Sequence, residues 1–172
     1  MGGFNPVSAL TLIGAVMLLA AAAHDAAVRT VPNSAALILL ICGIAIRLVG
    51  PDHDLLWSLG ATVAVFAATF LFWRFGLMGG GDLKLLTAGA MFVGSAKALP
   101  FLLVTVIAGG ALSLLYLLGG VLVPRPQKNR PKGFLARVLR TELWRLHRRG
   151  PLPYAMAIAF GGLYVSFVSI AR

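Results

Sequence analysis

Acids are scarce in this chain: five Asp and Glu stand against fifteen Lys and Arg, and only 12% of the 172 residues are charged. Ordinary soluble domains carry roughly 25% charged residues, so the shortage excludes a water-facing surface over most of the length. Cysteine is nearly absent. Cys42 lies alone in an apolar run, which excludes an intramolecular disulfide and a cysteine-based zinc site. Histidine is equally thin, and His24, His53 and His147 are too scattered for a metal cluster, so neither metal nor cofactor is expected. What is abundant is apolar side chain, at 59% of residues with a mean hydropathy of +0.92. The composition is that of an integral membrane protein, expected to be all-α.

Apolar runs recur at about Val7 to Ala23, Ser34 to Val49, Leu55 to Phe75, Leu83 to Ala96, Phe101 to Val123 and Tyr154 to Ile170. No basic residue precedes the first run, so it reads as a retained helix rather than a cleaved signal. The fourth is short, bounded by Asp82 and Lys84 at one end and by Lys97 and Pro100 at the other, and length alone would allow a re-entrant segment. Charge decides for a crossing. Arg125, Lys128, Arg130, Lys132, Arg137, Arg140, Arg145, Arg148 and Arg149 crowd the stretch 124–150, which the positive-inside rule assigns to the cytoplasm. Six spans also bring Arg29, Arg74 and Lys84 to that side, and leave Arg47, Lys97 and Arg172 on or near the other. The expectation is one membrane domain over residues 1–172, with both termini extracytoplasmic and a basic cytoplasmic loop at 124–150. This uneven placement of charge argues for a membrane rather than nucleic acid as the partner of the basic residues.

Two acids sit at span boundaries. Asp25 closes the first run and Asp82 opens the fourth, and two crossings lie between them, so both fall on the cytoplasmic side and are able to meet. Each has a structural explanation of its own. Asp82 is placed to cap a helix N-terminus, and Asp25, at a helix C-terminus where the dipole disfavours a carboxylate, has Arg29 four residues on. Asp52, Asp54 and Glu142 read as solvated or locally paired.

The run Asp25-Ala-Ala-Val-Arg29-Thr-Val31-Pro32-Asn33 resembles the first motif of the type IV prepilin peptidases, an Asp followed by a basic residue and an Ile/Val-Pro-Asn turn. Gly79-Gly80-Gly81-Asp82 with Lys84 is similar to the family's Gly-x-Gly-Asp motif, and Pro153-Tyr154-Ala155 resembles a Pro-Tyr-Gly opening of the last helix, with Ala155 in place of Gly. The resemblance runs from about Asp25 to Gly162, and the size is similar to the compact branch associated with Flp-type, tight-adherence pili. It implies an aspartic endopeptidase of the inner membrane with Asp25 and Asp82 as catalytic residues. Its substrate would be a prepilin, cut at the cytoplasmic face between a short basic leader and a hydrophobic segment. Larger relatives carry an extension with paired cysteines and methylate the new N-terminus, so peptidase activity without methyl transfer is expected.

The chemistry agrees. Hydrolysis by two carboxylates needs one ionised to activate water and one protonated to donate to the carbonyl, and close like charges with partial burial favour a shared proton. Gly79, Gly80 and Gly81 are expected to supply positive φ and close approach for an extended substrate. Lys84 is expected to stabilise Asp82 or bind lipid phosphate. Pro32 and Asn33 should start the second helix, with Asn33 as its cap. Leu135, Val138, Leu139, Leu143 and Leu146 share one helical face, which fits an in-plane helix on anionic headgroups as well as it fits a solvated loop. The competing function is a small transporter or channel, which would more often hold its acids near mid-membrane.

Overall fold

The computed structural model describes residues 5–51, 54–122 and 152–168. Asp52 and Glu142, the loop 124–150 and the expected helix over 135–146 lie outside the described residues. Within them the chain is all-helical: α1 (Pro6–Val28), α2 (Asn33–Val49), α3 (Leu55–Arg74), α4 (Gly80–Val93), α5 (Ser95–Leu122) and α6 (Tyr154–Val168). A helix satisfies its own backbone, which is what a chain this apolar requires in hydrocarbon. Three stretches, Pro6–Val28, Leu55–Arg74 and Ser95–Gly119, are long and apolar enough to cross a bilayer, and α2 and α6 are shorter apolar helices.

The chain divides into two compact units. The first comprises residues 1–109 and 153–172, and the second comprises residues 110–152, of which the end of α5 is described. In the first unit α4 is the central element, packed against α2, α3 and α6, while α1 packs on α2 and α6. Leu83, Leu85, Leu86 and the whole stretch from Ala88 to Val93 are buried, so the second half of α4 is enclosed on every side, while Asp82 and the exposed Lys84 mark its open first turns. At 14 residues it is about 21 Å long, short of a bilayer's ~30 Å of hydrocarbon. Small residues let the backbones close in: a Cβ on Gly43 of α2 would stand 2.7 Å from the Met91 carbonyl carbon and the Phe92 nitrogen of α4.

Three element boundaries differ from the sequence reading. Helix α1 continues beyond Ala23 to Val28, so Asp25 lies in its last turn, and Arg29 stops it in a left-handed conformation (φ 61°) with its N–H on the Asp25 carbonyl at 2.8 Å. Helix α4 begins at Gly80 rather than Leu83. The α4–α5 break falls at Gly94 (φ 85°), which puts Lys97 and Pro100 inside α5 rather than between spans. A proline is accepted there because an apolar segment in lipid has no alternative to helix.

At one end of this unit the α1–α2 turn, the end of α3 and the starts of α4 and α6 come together. At the other, the α2–α3 and α4–α5 turns meet, held by Arg47. Its guanidinium pairs with Asp54 at 3.2 Å and reaches the Phe92 and Val93 carbonyls, each at 3.5 Å, capping the C-terminus of α4. Asp54 also accepts from Ser58 and Ser95, both at 2.8 Å. The expectation of local pairing holds for this acid. Burial works against the Asp54 anion, but the Ser58 and Ser95 hydroxyls and the Arg47 charge outweigh it and hold the carboxyl below the usual Asp range.

Candidate active site

The first end gathers both boundary acids. Asp25 is buried, at 7% exposure, in the last turn of α1, where its own helix offers a carboxylate only carbonyls. A different helix supplies the donor: the N–H of Ala155, in the first turn of α6, reaches Asp25 Oδ2 at 3.3 Å. The first turn of a helix has unused N–H groups and a positive dipole end, so α6 compensates the position that α1 makes unfavourable.

Asp82 is the third residue of α4 and is half-buried. It is not the N-cap that its sequence position invited; Gly79 is, and the Asp82 carboxylate folds back against Gly79, whose backbone N–H favours its anion. That approach is the geometry of one half of a capping box, so the turn in front of Asp82 orients its carboxylate. From there Asp82 lies within electrostatic reach of Asp25 and of Tyr154 at the head of α6.

The glycines work differently from the expectation. Gly79 has φ −70°, Gly80 and Gly81 are helical, and the positive-φ glycines among the described residues are Gly76 and Gly94. What Gly79 to Gly81 provide is proximity. A Cβ on Gly79 would stand 3.0 Å from Asp82 Oδ2, one on Gly80 3.4 Å from Trp73 Nε1, and one on Gly81 3.1 Å from the Val31 side chain. The glycine run thus lets the α1–α2 turn and the end of α3 close on the start of α4.

Asn33 is also reassigned. Pro32 occupies the N-cap position of α2 and no side chain caps that helix; Asn33 is its first residue. The Asn33 amide instead accepts from Lys84 Nζ at 2.9 Å, tying α2 to the first turn of α4. This gives Lys84 a neutral partner rather than Asp82. His24, beside Asp25, is also spoken for: its Nδ1 hydrogen-bonds the Thr30 carbonyl at 2.7 Å and closes the α1–α2 turn. No group of metal-binding side chains occurs among the described residues. Sequence reasoning missed Trp73, whose signal was its place at the boundary of a span, and the Ala155 N–H, which as a backbone group has no signal at all.

A sequence model of the type IV leader peptidase family matches residues 12–114, a stretch that contains both Asp25 and Asp82. The chain belongs to the type IV leader peptidase family. It is therefore a multi-pass membrane peptidase of the prepilin-leader type, and the family implies a prepilin as its substrate. The matched stretch ends before Pro153, so the α6 contribution to the site rests on the Ala155 contact and not on the match. Searches among curated proteins and solved structures returned no significant match.

Proposed function

We propose that this leader peptidase is an aspartic endopeptidase in which Asp25 and Asp82 together hydrolyse the leader bond of a prepilin at the cytoplasmic face of the inner membrane. The observation that carries the reading is the convergence of two carboxylates from α1 and α4, one held by α6 and the other by its own capping turn. With one proton shared between them, the ionised carboxylate takes a proton from water as the oxygen attacks the scissile carbonyl carbon. The protonated one gives its proton to the carbonyl oxygen. Collapse of the tetrahedral diol breaks the C–N bond, and the departing amine takes up the proton first removed from water.

Arg29, Arg74 and Lys84 lie at the ends of α1, α3 and α4 that face this site, which supports a cytoplasmic placement. A prepilin presents its leader there and keeps its hydrophobic segment in the bilayer. Gly79 to Gly81 let the α1–α2 turn and the end of α3 close on the start of α4 and so hold Asp82 in place, and Pro153 and Tyr154 position α6 against Asp25. The substrate proposed is a Flp-like prepilin, released without methylation of its new N-terminus.

Cleavage of a Flp-like prepilin in membranes tests the reading. Asp25→Asn and Asp82→Asn are each expected to lower the rate by about 10²–10⁴-fold, the usual contribution of a general acid or base. A variant that cleaves at the wild-type rate would remove that carboxylate from the mechanism. The mass of the released pilin N-terminus tests for methyl transfer in the same assay, and the added mass of one methyl group would overturn that part of the reading.

A further inference from the structure

Arg47 and Lys97 lie at the end away from the two aspartates, where the distribution of basic residues gives no reason for a cation. Arg47 is explained by its bridge to Asp54 and its cap on α4. Lys97 is not. It is the third residue of α5, where the helix dipole opposes a positive charge, it is half-buried, and no acid among the described residues pairs with it. Asp54, the acid nearest in kind, is already engaged by Arg47, Ser58 and Ser95.

Lys97 lines a cavity of about 730 Å³ formed where α1 begins, α2 and α6 end and α4 gives way to α5. Ser8 and Ser166 bring hydroxyls to the same wall, the Thr11 hydroxyl there being donated to the Val7 carbonyl at 2.8 Å; Arg47 and Asp54 line it as a mutually neutralising pair, and Val7, Phe92 and Phe167 bring apolar surface. The geometry points to a binding site for an anionic phospholipid of the leaflet opposite the dyad, with its headgroup phosphate on Lys97 and the hydroxyls and the start of its acyl chains on the apolar wall. The volume selects between sources of phosphate. A free ion would leave most of the cavity empty, whereas ligand pockets of ~300–1,000 Å³ enclose most of a drug-sized molecule. The location agrees, because helices that cross a bilayer end at headgroup depth. The inference rests on the chain's membrane placement and not on its peptidase chemistry, so either is able to fail alone.

The test uses the full-length protein and native mass spectrometry after exchange into mixed phosphatidylglycerol and phosphatidylcholine. Wild type is expected to retain phosphatidylglycerol in preference. Lys97→Gln should reduce retention about fivefold, the loss of one basic contact near an anionic surface, and Lys97→Arg should restore it. Prepilin cleavage by Lys97→Gln is expected at the wild-type level, which reports an intact fold. If that variant loses both cleavage and lipid, Lys97→Arg decides: recovery supports the site, and failure to recover lipid overturns it. Equal retention by wild type and Lys97→Gln also overturns it. Displacement of the lipid by millimolar inorganic phosphate would show that the cavity takes the free anion and would overturn the assignment to lipid.

Discussion

Gly79 adopts φ −70° and ψ 145°, a conformation open to any residue, so what a side chain would meet there is steric and local. A Cβ would stand 3.0 Å from Asp82 Oδ2, and the carboxylate is the part free to move. Gly79→Ala is therefore expected to fold but to cut prepilin at least tenfold more slowly, with KM nearly unchanged, because misplacing a reacting group by a fraction of an ångström affects the transition state more than binding. A rise in KM at unchanged kcat would assign Gly79 to substrate contact instead. Asp54 gives a prediction of a different kind. Its folded-state pKa is depressed, so its contribution to stability is complete above the unfolded value of about 4 and is lost as pH falls through the lower folded value. Thermal unfolding in detergent across that acid range should show the loss in wild type and a flatter profile in Asp54→Asn.

Helix packing turns on how closely α2 and α4 approach. Gly43→Ala puts a methyl 2.7 Å from the α4 backbone, which cannot yield as a side chain does, and is expected to cost about 1–3 kcal/mol in reversible unfolding. Gly60→Ala on α3 meets nothing within 4 Å and should leave stability unchanged or slightly raised. The apolar runs made all six helices legible in the sequence, yet the ends of α4 were misplaced by three residues on each side. Three glycines before an acid read as a loop by propensity. Contact with Val31 and Trp73 makes them the start of a helix, because tertiary packing outweighs intrinsic preference. Lys97 and Pro100 read as a boundary for the same reason in reverse: the true break needed only Gly94 and its positive φ. That Asp25 and Asp82 come to the same end of the first unit was legible because acids are rare here and two apolar runs separate them. Asn33 was misread as a cap because its partner, Lys84, lies 51 positions away.

At the level of the whole chain, the ends of the first unit's helices fall into two sets, and the proposed orientation assigns one set to each side of the membrane. In a Cys42→Ala background, single cysteines at Thr30 and Phe75, both exposed near the aspartates, should react with an impermeant thiol reagent only from the cytoplasm. One at Ala96, exposed at the far end, should react only from outside. Labelling of position 30 or 75 from outside would invert the topology and with it the placement of the leader bond.

The Asp25 to Ala155 hydrogen bond joins positions 130 residues apart, near the two ends of the chain. During synthesis Asp25 lacks that N–H until α6 has been made, and α6 follows α1 to α5 in the chain. Under the proposed mechanism a ribosome-bound chain that stops short of α6 holds both aspartates but not the support of Asp25, and it is expected to cleave prepilin more slowly than the finished protein.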